Sequence, residues 1–402
     1  MRRRFPFGMS DVRGAARLAT DATTAVTDLV EAMHARIARV PLPGRPPSDD
    51  RARGIARLTY ASVRGVARQV GGGLDGLFAL AGRALPGQPE SPAREAVVSA
   101  LNGVLGDHLA ATGNPLAIGM SLRSGGLALA PERDALVAAL PDAGSKPVVL
   151  LHGLCMNDLQ WRRGGHDHGA ALHRDLGCTP LYLRYNSGLH VSTNGAAFAR
   201  LMERLVDAWP QPLERLVIVG HSMGGLVARS ALHAAGASGL AWPGKLDDLV
   251  FLGTPHHGAP LERAGHVFHR VLGMTPYAAP LARLGRLRSA GITDLRHGSL
   301  LDADRADGDR FGGGGDRRRP LPLPAGVRCF AIAGTTASDA DDRVDRLPGD
   351  GLVPVASALG RHADPARRLD FAPERQWISP RTNHFDLLDR PEVYARLRAW
   401  LA

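Results

Sequence analysis

Lysine is almost absent from this 402-residue chain: Lys146 and Lys245 are the only two, so nearly all of its positive charge is arginine. Cysteine is scarce as well. Cys155, Cys178 and Cys329 are odd in number, widely spaced and without a C-x-x-C pair. That pattern argues against a disulfide framework and a structural zinc site, and it fits a reducing, cytoplasmic setting. Aromatic residues make up only 5%, and there is no zinc-finger spacing or RNP-type motif, so nucleic acid is not an expected partner. No Walker loop occurs. Gly71-Gly72-Gly73 and the run of glycines over 312–315 lack the lysine and the strand-to-helix setting that phosphate binding requires, so no nucleotide cofactor is expected. Long apolar runs are missing too: stretches such as 147–151 fall far short of the roughly 20 residues that span a bilayer. The basic start, Arg2-Arg3-Arg4, does not continue as an export signal, because Asp11, Arg13, Arg17 and Asp21 interrupt the apolar segment that should follow.

What is present is enough apolar residue, 44%, to bury a substantial core, with 22% charged residues and a mean hydropathy of -0.10. The length predicts one large domain plus an appendage. Of the +10 net charge, residues 1–70 carry +7, from 13 arginines against 6 acidic residues. Residues 1–112 read as amphipathic helices. One face is Val26, Leu29, Val30, Met33, Ile37 and Val40, ended by Pro41; a second is Ile55, Leu58, Val63, Val66 and Val70, loosening at Gly71. A third helix has Ser91 as N-cap, Pro92 in its first turn, apolar positions at Val97, Val98, Leu101, Val104, Leu105 and Leu109, and Gly113 as its stop. Such segments pack on a neighbouring domain or on each other; their charge also allows peripheral contact with an anionic membrane surface.

From residue 113 onward the texture is that of a second, α/β region. A hairpin around Ser124-Gly125-Gly126 precedes apolar strands at 147–151, 180–183, 216–219, 249–252 and 327–333, with helices such as 196–209 and 224–235 between them. The alternation predicts a mostly parallel, doubly wound sheet. An insertion over about 259–325, with helical patches at 261–272 and 281–287 and a Gly/Arg-rich stretch at 309–319, has the length of a cap or lid.

The chemistry concentrates at Gly220-His221-Ser222-Met223-Gly224, a Gly-x-Ser-x-Gly between a strand and a helix. A sharp turn there holds the serine in a strained conformation with Oγ exposed, and glycines two positions away admit the neighbouring backbone. A serine hydroxyl is a weak nucleophile, so a histidine must take its proton and a carboxylate must orient that histidine. His384 follows the last expected strand, at 376–378, and precedes a closing helix over 391–401. Asp350 lies in the glycine-flanked turn Gly349-Asp350-Gly351, with Asp341, Asp342 and Asp345 as weaker competitors. Two backbone donors must meet the developing oxyanion: Met223 N–H, after the nucleophile, and Leu154 N–H, in the turn His152-Gly153-Leu154 after an earlier strand. Cys155 has no elbow around it, and His166-Asp167-His168 reads as a polar loop rather than a metal site.

On these motifs the region 120–402 resembles an α/β-hydrolase of the bacterial triacylglycerol lipase and esterase group, and it is similar to GPI inositol-deacylase-like hydrolases. The resemblance implies an α/β-hydrolase fold with Ser222, Asp350 and His384 as catalytic residues, Leu154 and Met223 as oxyanion donors, and Gly220, His221 and Gly224 as the elbow. It also implies a pocket bordered by His152, Gly153, Thr254, Pro255 and His256, from the Thr-Pro-His-x-Gly segment, with neither metal nor cofactor. The expected activity is hydrolysis of a small-molecule or lipid ester. The same triad would serve an acyltransferase, thioesterase or amidase, and a lipid-surface scaffold acting through the basic helices is the non-enzymatic alternative. Acyl chain length and oligomeric state are not encoded in these motifs.

Overall fold

The computed structural model describes residues 8–37, 61, 64–65, 68–76, 91–259, 289–304, 316, 318–338 and 348–402. The expected helical patches at 261–272 and 281–287, most of the stretch 309–319, and Asp341, Asp342 and Asp345 lie outside the described residues, as does most of the helix expected over 55–70. Contacts divide the chain into two units: Met1–Arg94 with Leu109–Ala117, and Glu95–His108 with Ile118–Ala402.

In the first unit, helix α1 (Met9–Ile37) begins well before the apolar face that signals it. The charges that break an export signal are helix residues here. Arg13 and Arg17, one turn apart, both bind the carboxylate of Asp75, at 2.7 and 2.5 Å, and Arg94 binds Asp11 at 2.6 Å. Residues 68–76 are helical straight through the three glycines expected to loosen them. Gly71 is needed for packing: a Cβ there would come within 2.5 Å of the Thr20 hydroxyl.

Helix α2 (Pro92–Ala111) starts with the Ser91 hydroxyl accepting Arg94 N–H at 3.2 Å and stops at Gly113, whose φ is 59°. The contacts draw the boundary differently from a simple division near residue 112, because residues 95–108 of this helix belong to the α/β unit.

That unit is built on an eight-stranded sheet. Its strands are β1 (Ser121–Ser124), β2 (Leu127–Leu129), β3 (Pro147–Leu151), β4 (Thr179–Arg184), β5 (Leu216–His221), β6 (Leu246–Leu252), β7 (Arg328–Gly334) and β8 (Gln376–Ser379), in the order β2-β1-β4-β3-β5-β6-β7-β8. Gly125 and Gly126, both with positive φ, close the antiparallel β1–β2 hairpin. β1 meets β4 antiparallel, and β4 through β8 pair in parallel. Helices α3 (Arg133–Ala139), α4 (His168–Leu176), α5 (Val191–Ala208), α6 (Met223–Ala237), α7 (Ala290–Asp294), α8 (Val355–Ala358) and α9 (Pro391–Leu401) complete the described elements used below.

Alternate residues of the central strands feed two cores, as the two-residue period of a strand requires. Val149, Leu151, Ile218 and Phe251 pack with Phe198, Met202 and Leu226 of α5 and α6 on one face. Val148, Leu150, Val219 and Val250 pack with Leu172 of α4 and Leu397 of α9 on the other. Burial on both faces explains why these strands read as continuous apolar runs. The chain leaves β3 towards β4 on one side and later returns to β5 on the other, so the order reverses between β3 and β5. In open α/β sheets the crevice at the carboxyl ends of such strands is where a site forms.

Candidate active site

Fully buried β5 ends at His221, and α6 begins at Met223, so Ser222 must make the whole turn. It does so at φ 54° and ψ −125°, a conformation a non-glycine residue rarely holds. A Cβ on Gly220 would stand 2.5 Å from Gly225 N, and one on Gly224 would stand 2.3 Å from Leu151 O, which is why glycine occupies both positions. Ser222 N–H donates to Leu252 O at 2.8 Å and ties the elbow to β6. Met223 N–H, in the first turn of α6, is one of the donors that a helix leaves unpaired.

Across the β3/β5 switch, Leu151 pairs with Gly220, and the turn after β3 brings Gly153 beside the serine: a Cβ on Gly153 would lie 3.0 Å from Ser222 Cβ. His152 holds this turn. Its Nδ1–H donates to Gly153 O at 2.8 Å, its ring stacks on Tyr185 at 4.2 Å, and Tyr185 Oη donates to His152 O at 2.7 Å. Cys155, next to Leu154, has φ 60° and donates its N–H to Ser187 Oγ at 3.0 Å. Neither Leu154 N–H nor Met223 N–H donates to another described residue.

Asp350 follows β7, and His384 follows β8. His384 Nδ1–H donates to Asp350 Oδ2 at 2.7 Å, with both side chains buried, and His384 N–H donates to Asp350 O at 3.0 Å. The other carboxylate oxygen accepts Leu352 N–H at 2.9 Å and Val353 N–H at 2.8 Å. The acid is therefore fixed from both sides. His221 reaches His384 from the elbow: its Nε2–H donates to His384 O at 3.0 Å, and the two rings stand 4.7 Å apart.

Ser222 and His384 line one cleft of ≈ 50 Å³ with Gly153, Leu154, Met156, Pro255, Leu352 and Phe385 among its walls. Ala259 and Leu295, from the segment between β6 and β7, also face it. Sequence reasoning did not single out Met156, Leu352 or Phe385. Their signal was adjacency in the chain, each lying within two residues of Leu154, Asp350 or His384. Of the residues expected to border the pocket, Gly153 and Pro255 do. His152, Thr254 and His256 do not, for all three are fully buried. His256 accepts Arg229 Nη1–H at 3.3 Å behind the cleft. The expected polar loop at 166–168 is instead a helix start. Asp167 caps α4 by accepting Ala170 N–H at 3.0 Å, and buried His168 bridges His166, at 2.7 Å, and Leu387 O, at 2.9 Å.

Burial drives His152 down to about 3 and His168 down to about 4, and holds His221 and His256 well below the ordinary value of 6.5. All four stay neutral in the fold but take protons once unfolded, so stability is full above pH 6.5 and falls as the pH drops towards 4. The expected slope approaches about 1.4 kcal/mol per pH unit for each histidine, and urea denaturation between pH 7.5 and 4.5 will measure it.

The strand order and the strand-to-helix turn at Ser222 give the α/β unit an α/β-hydrolase fold. Within it, residues 142–306 match the family described as PGAP1-like alpha/beta domain. Among solved structures, the chain is similar to the mature lipase BlEst2 of Bacillus licheniformis, at 18% identity and a TM-score of 0.41 over 64% of this chain and 92% of that one. It is also similar to the Pyrococcus furiosus esterase Pf2001, at 15% identity and 0.34 over 65% and 81%, and to the Legionella pneumophila phospholipase PlaB, at 18% identity and 0.34 over 53% and 44%. No curated protein gives a significant match.

Proposed function

We propose that the protein is a serine hydrolase of carboxylic esters with a hydrophobic acyl group. The observation that carries this reading is the convergence of a positive-φ serine and an Asp350-paired histidine on one cleft with mainly apolar walls. Ser222 Oγ attacks the acyl carbonyl while His384 Nε2 takes its proton, and Asp350 stabilises the imidazolium. Leu154 N–H and Met223 N–H receive the negative oxygen. His384 then protonates the departing alcohol. In the second half a water, deprotonated by His384, opens the acyl-enzyme and releases the acid.

Ala259 and Leu295 in the cleft wall support reading the insertion between β6 and β7 as its cap. Among the described arginines of the first unit, Arg13, Arg17 and Arg94 already have carboxylate partners, which lessens the support those three give to a membrane role. A p-nitrophenyl ester series from acetate to palmitate, with and without a dispersed lipid interface, tests the proposal. Turnover at some chain length is expected, together with stoichiometric labelling by an alkyl fluorophosphonate. No turnover and no labelling across the series would rule the reading out, and transfer of the acyl group to added alcohols in preference to water would recast it as an acyltransferase.

A further inference from the structure

Helix α2 precedes the sheet in the chain and lies outside the segment that matches the hydrolase family, yet residues 95–108 are built into the catalytic unit. The contacts run along one face of the helix and meet loops, not the sheet surface alone. Glu95 forms a buried ion pair with Arg184 at the end of β4. One turn on, Ser99 Oγ accepts Asn157 Nδ2–H at 3.1 Å. Another turn on, Gly103 lies directly against Cys155. A Cβ at Gly103 would stand 2.1 Å from Cys155 Sγ, 2.8 Å from its Cα and 2.9 Å from its N. Next, Gly106 O accepts Asn186 Nδ2–H at 2.8 Å, and a Cβ at Gly188 would collide with Asn102 O at 2.0 Å. From the start of α7, Ser289 Oγ donates to Gly103 O at 2.6 Å, and Ala290 N–H donates to Asp107 at 3.1 Å.

These loops include the one that must be placed most accurately. Cys155 follows Leu154, the proposed oxyanion donor, and its φ of 60° orients the peptide between them, which carries Leu154 O and Cys155 N–H and holds Leu154 from its C-terminal side. A cysteine has no intrinsic preference for that region, so its surroundings must impose it. Gly103 on one side and Ser187, which takes the Cys155 N–H, on the other do so.

We infer that Gly103 of helix α2 is a positioning residue for the oxyanion hole: by admitting Cys155 at backbone contact, it holds the peptide that follows Leu154 and so anchors the residue whose own N–H is the donor, one peptide back. The inference rests on the hydrolase reading, because it concerns how that site stabilises its transition state. Glycine in the middle of a helix normally costs about 1 kcal/mol relative to alanine, so its presence here calls for a reason in the packing.

The experiment compares wild type, Gly103→Ala, Cys155→Gly and the double variant by kcat and KM on the best ester of the series, with thermal melts on all four. Alanine at 103 is expected to lower kcat by about 10²-fold, the order of one lost oxyanion donor, with KM changed less than about threefold. Glycine at 155 removes the thiol but leaves the backbone clashes at 2.8 and 2.9 Å, so the double variant is expected to regain no more than part of the lost kcat. Wild-type kcat in Gly103→Ala would overturn the inference. So would complete recovery of kcat in the double variant, which would place the effect in the thiol and not in the backbone contact, or a loss tracked entirely by loss of folded protein in the melts. A wild-type protein that turns over no ester is a different result: it removes the hydrolase reading itself.

Discussion

Ser222→Ala is expected to abolish ester turnover, with kcat lower by about 10⁴ to 10⁶-fold, and to remove all labelling by a fluorophosphonate. The size of the effect follows from the absence of a substitute: no other hydroxyl lines the cleft beside His384 among the described residues. Folding should be almost unaffected. The strain at φ 54° belongs to the backbone and is the same for alanine, and Ser222 Oγ makes no bond that holds the turn; the turn is held by Ser222 N–H on Leu252 O. The melting temperature should therefore stay within about 2 °C of wild type. A Ser222→Ala variant that keeps more than a few per cent of the activity would mean that the nucleophile lies elsewhere.

Asp350→Asn is expected to lower kcat by about 10⁴-fold, through the histidine. In the native turn one carboxylate oxygen accepts two backbone N–H groups, from Leu352 and Val353, and the other accepts His384 Nδ1–H. An asparagine must aim its single carbonyl oxygen at the two backbone donors, which turns its NH2 group towards His384. Nδ1 then becomes the acceptor and the ring proton moves to Nε2, the nitrogen that should take the proton from Ser222. The fold is preserved and the base is in the wrong tautomer. Imidazole proton NMR of the variant should show loss of the downfield Nδ1–H resonance, and steady-state kinetics should show the fall in kcat with KM little changed. A kcat within about tenfold of wild type would mean that Asp350 is not the orienting acid.

The sheet was legible because burial on both faces removes the ambiguity of alternation: Val148 to Leu151 and Leu216 to Val219 are apolar throughout, and the elbow interrupts them with glycines that have a steric purpose. The third helical stretch was legible too, since Ser91, Pro92 and Gly113 mark its ends by cap chemistry. What was not legible is where that helix goes. Its apolar periodicity says that one face is covered, whereas its engagement with the Cys155 loop depends on Gly103 and Gly106, residues that in sequence look like defects in a helix. The same holds for His152, Thr254 and His256. A histidine next to a catalytic loop reads like a pocket residue, and only three-dimensional packing shows that its ring faces Tyr185 or Arg229 instead. The helix start at Asp167 was hidden by glycines on both sides, which read as a loop until the Ala170 N–H is seen on the carboxylate.

On the proposed hydrolase reading, the strand order also sets when the site can be completed during synthesis. β5 sits in the middle of the sheet and leads into Ser222, but His384, the proposed base, follows β8, which is an outermost strand and the last of the sheet in chain order. A nascent chain can bury β3 to β6 and form the elbow while the acid and base are still to be synthesised. The incomplete enzyme would thus hold a strained but unactivated serine, and hydrolysis would begin only when the final strand closes the edge of the sheet.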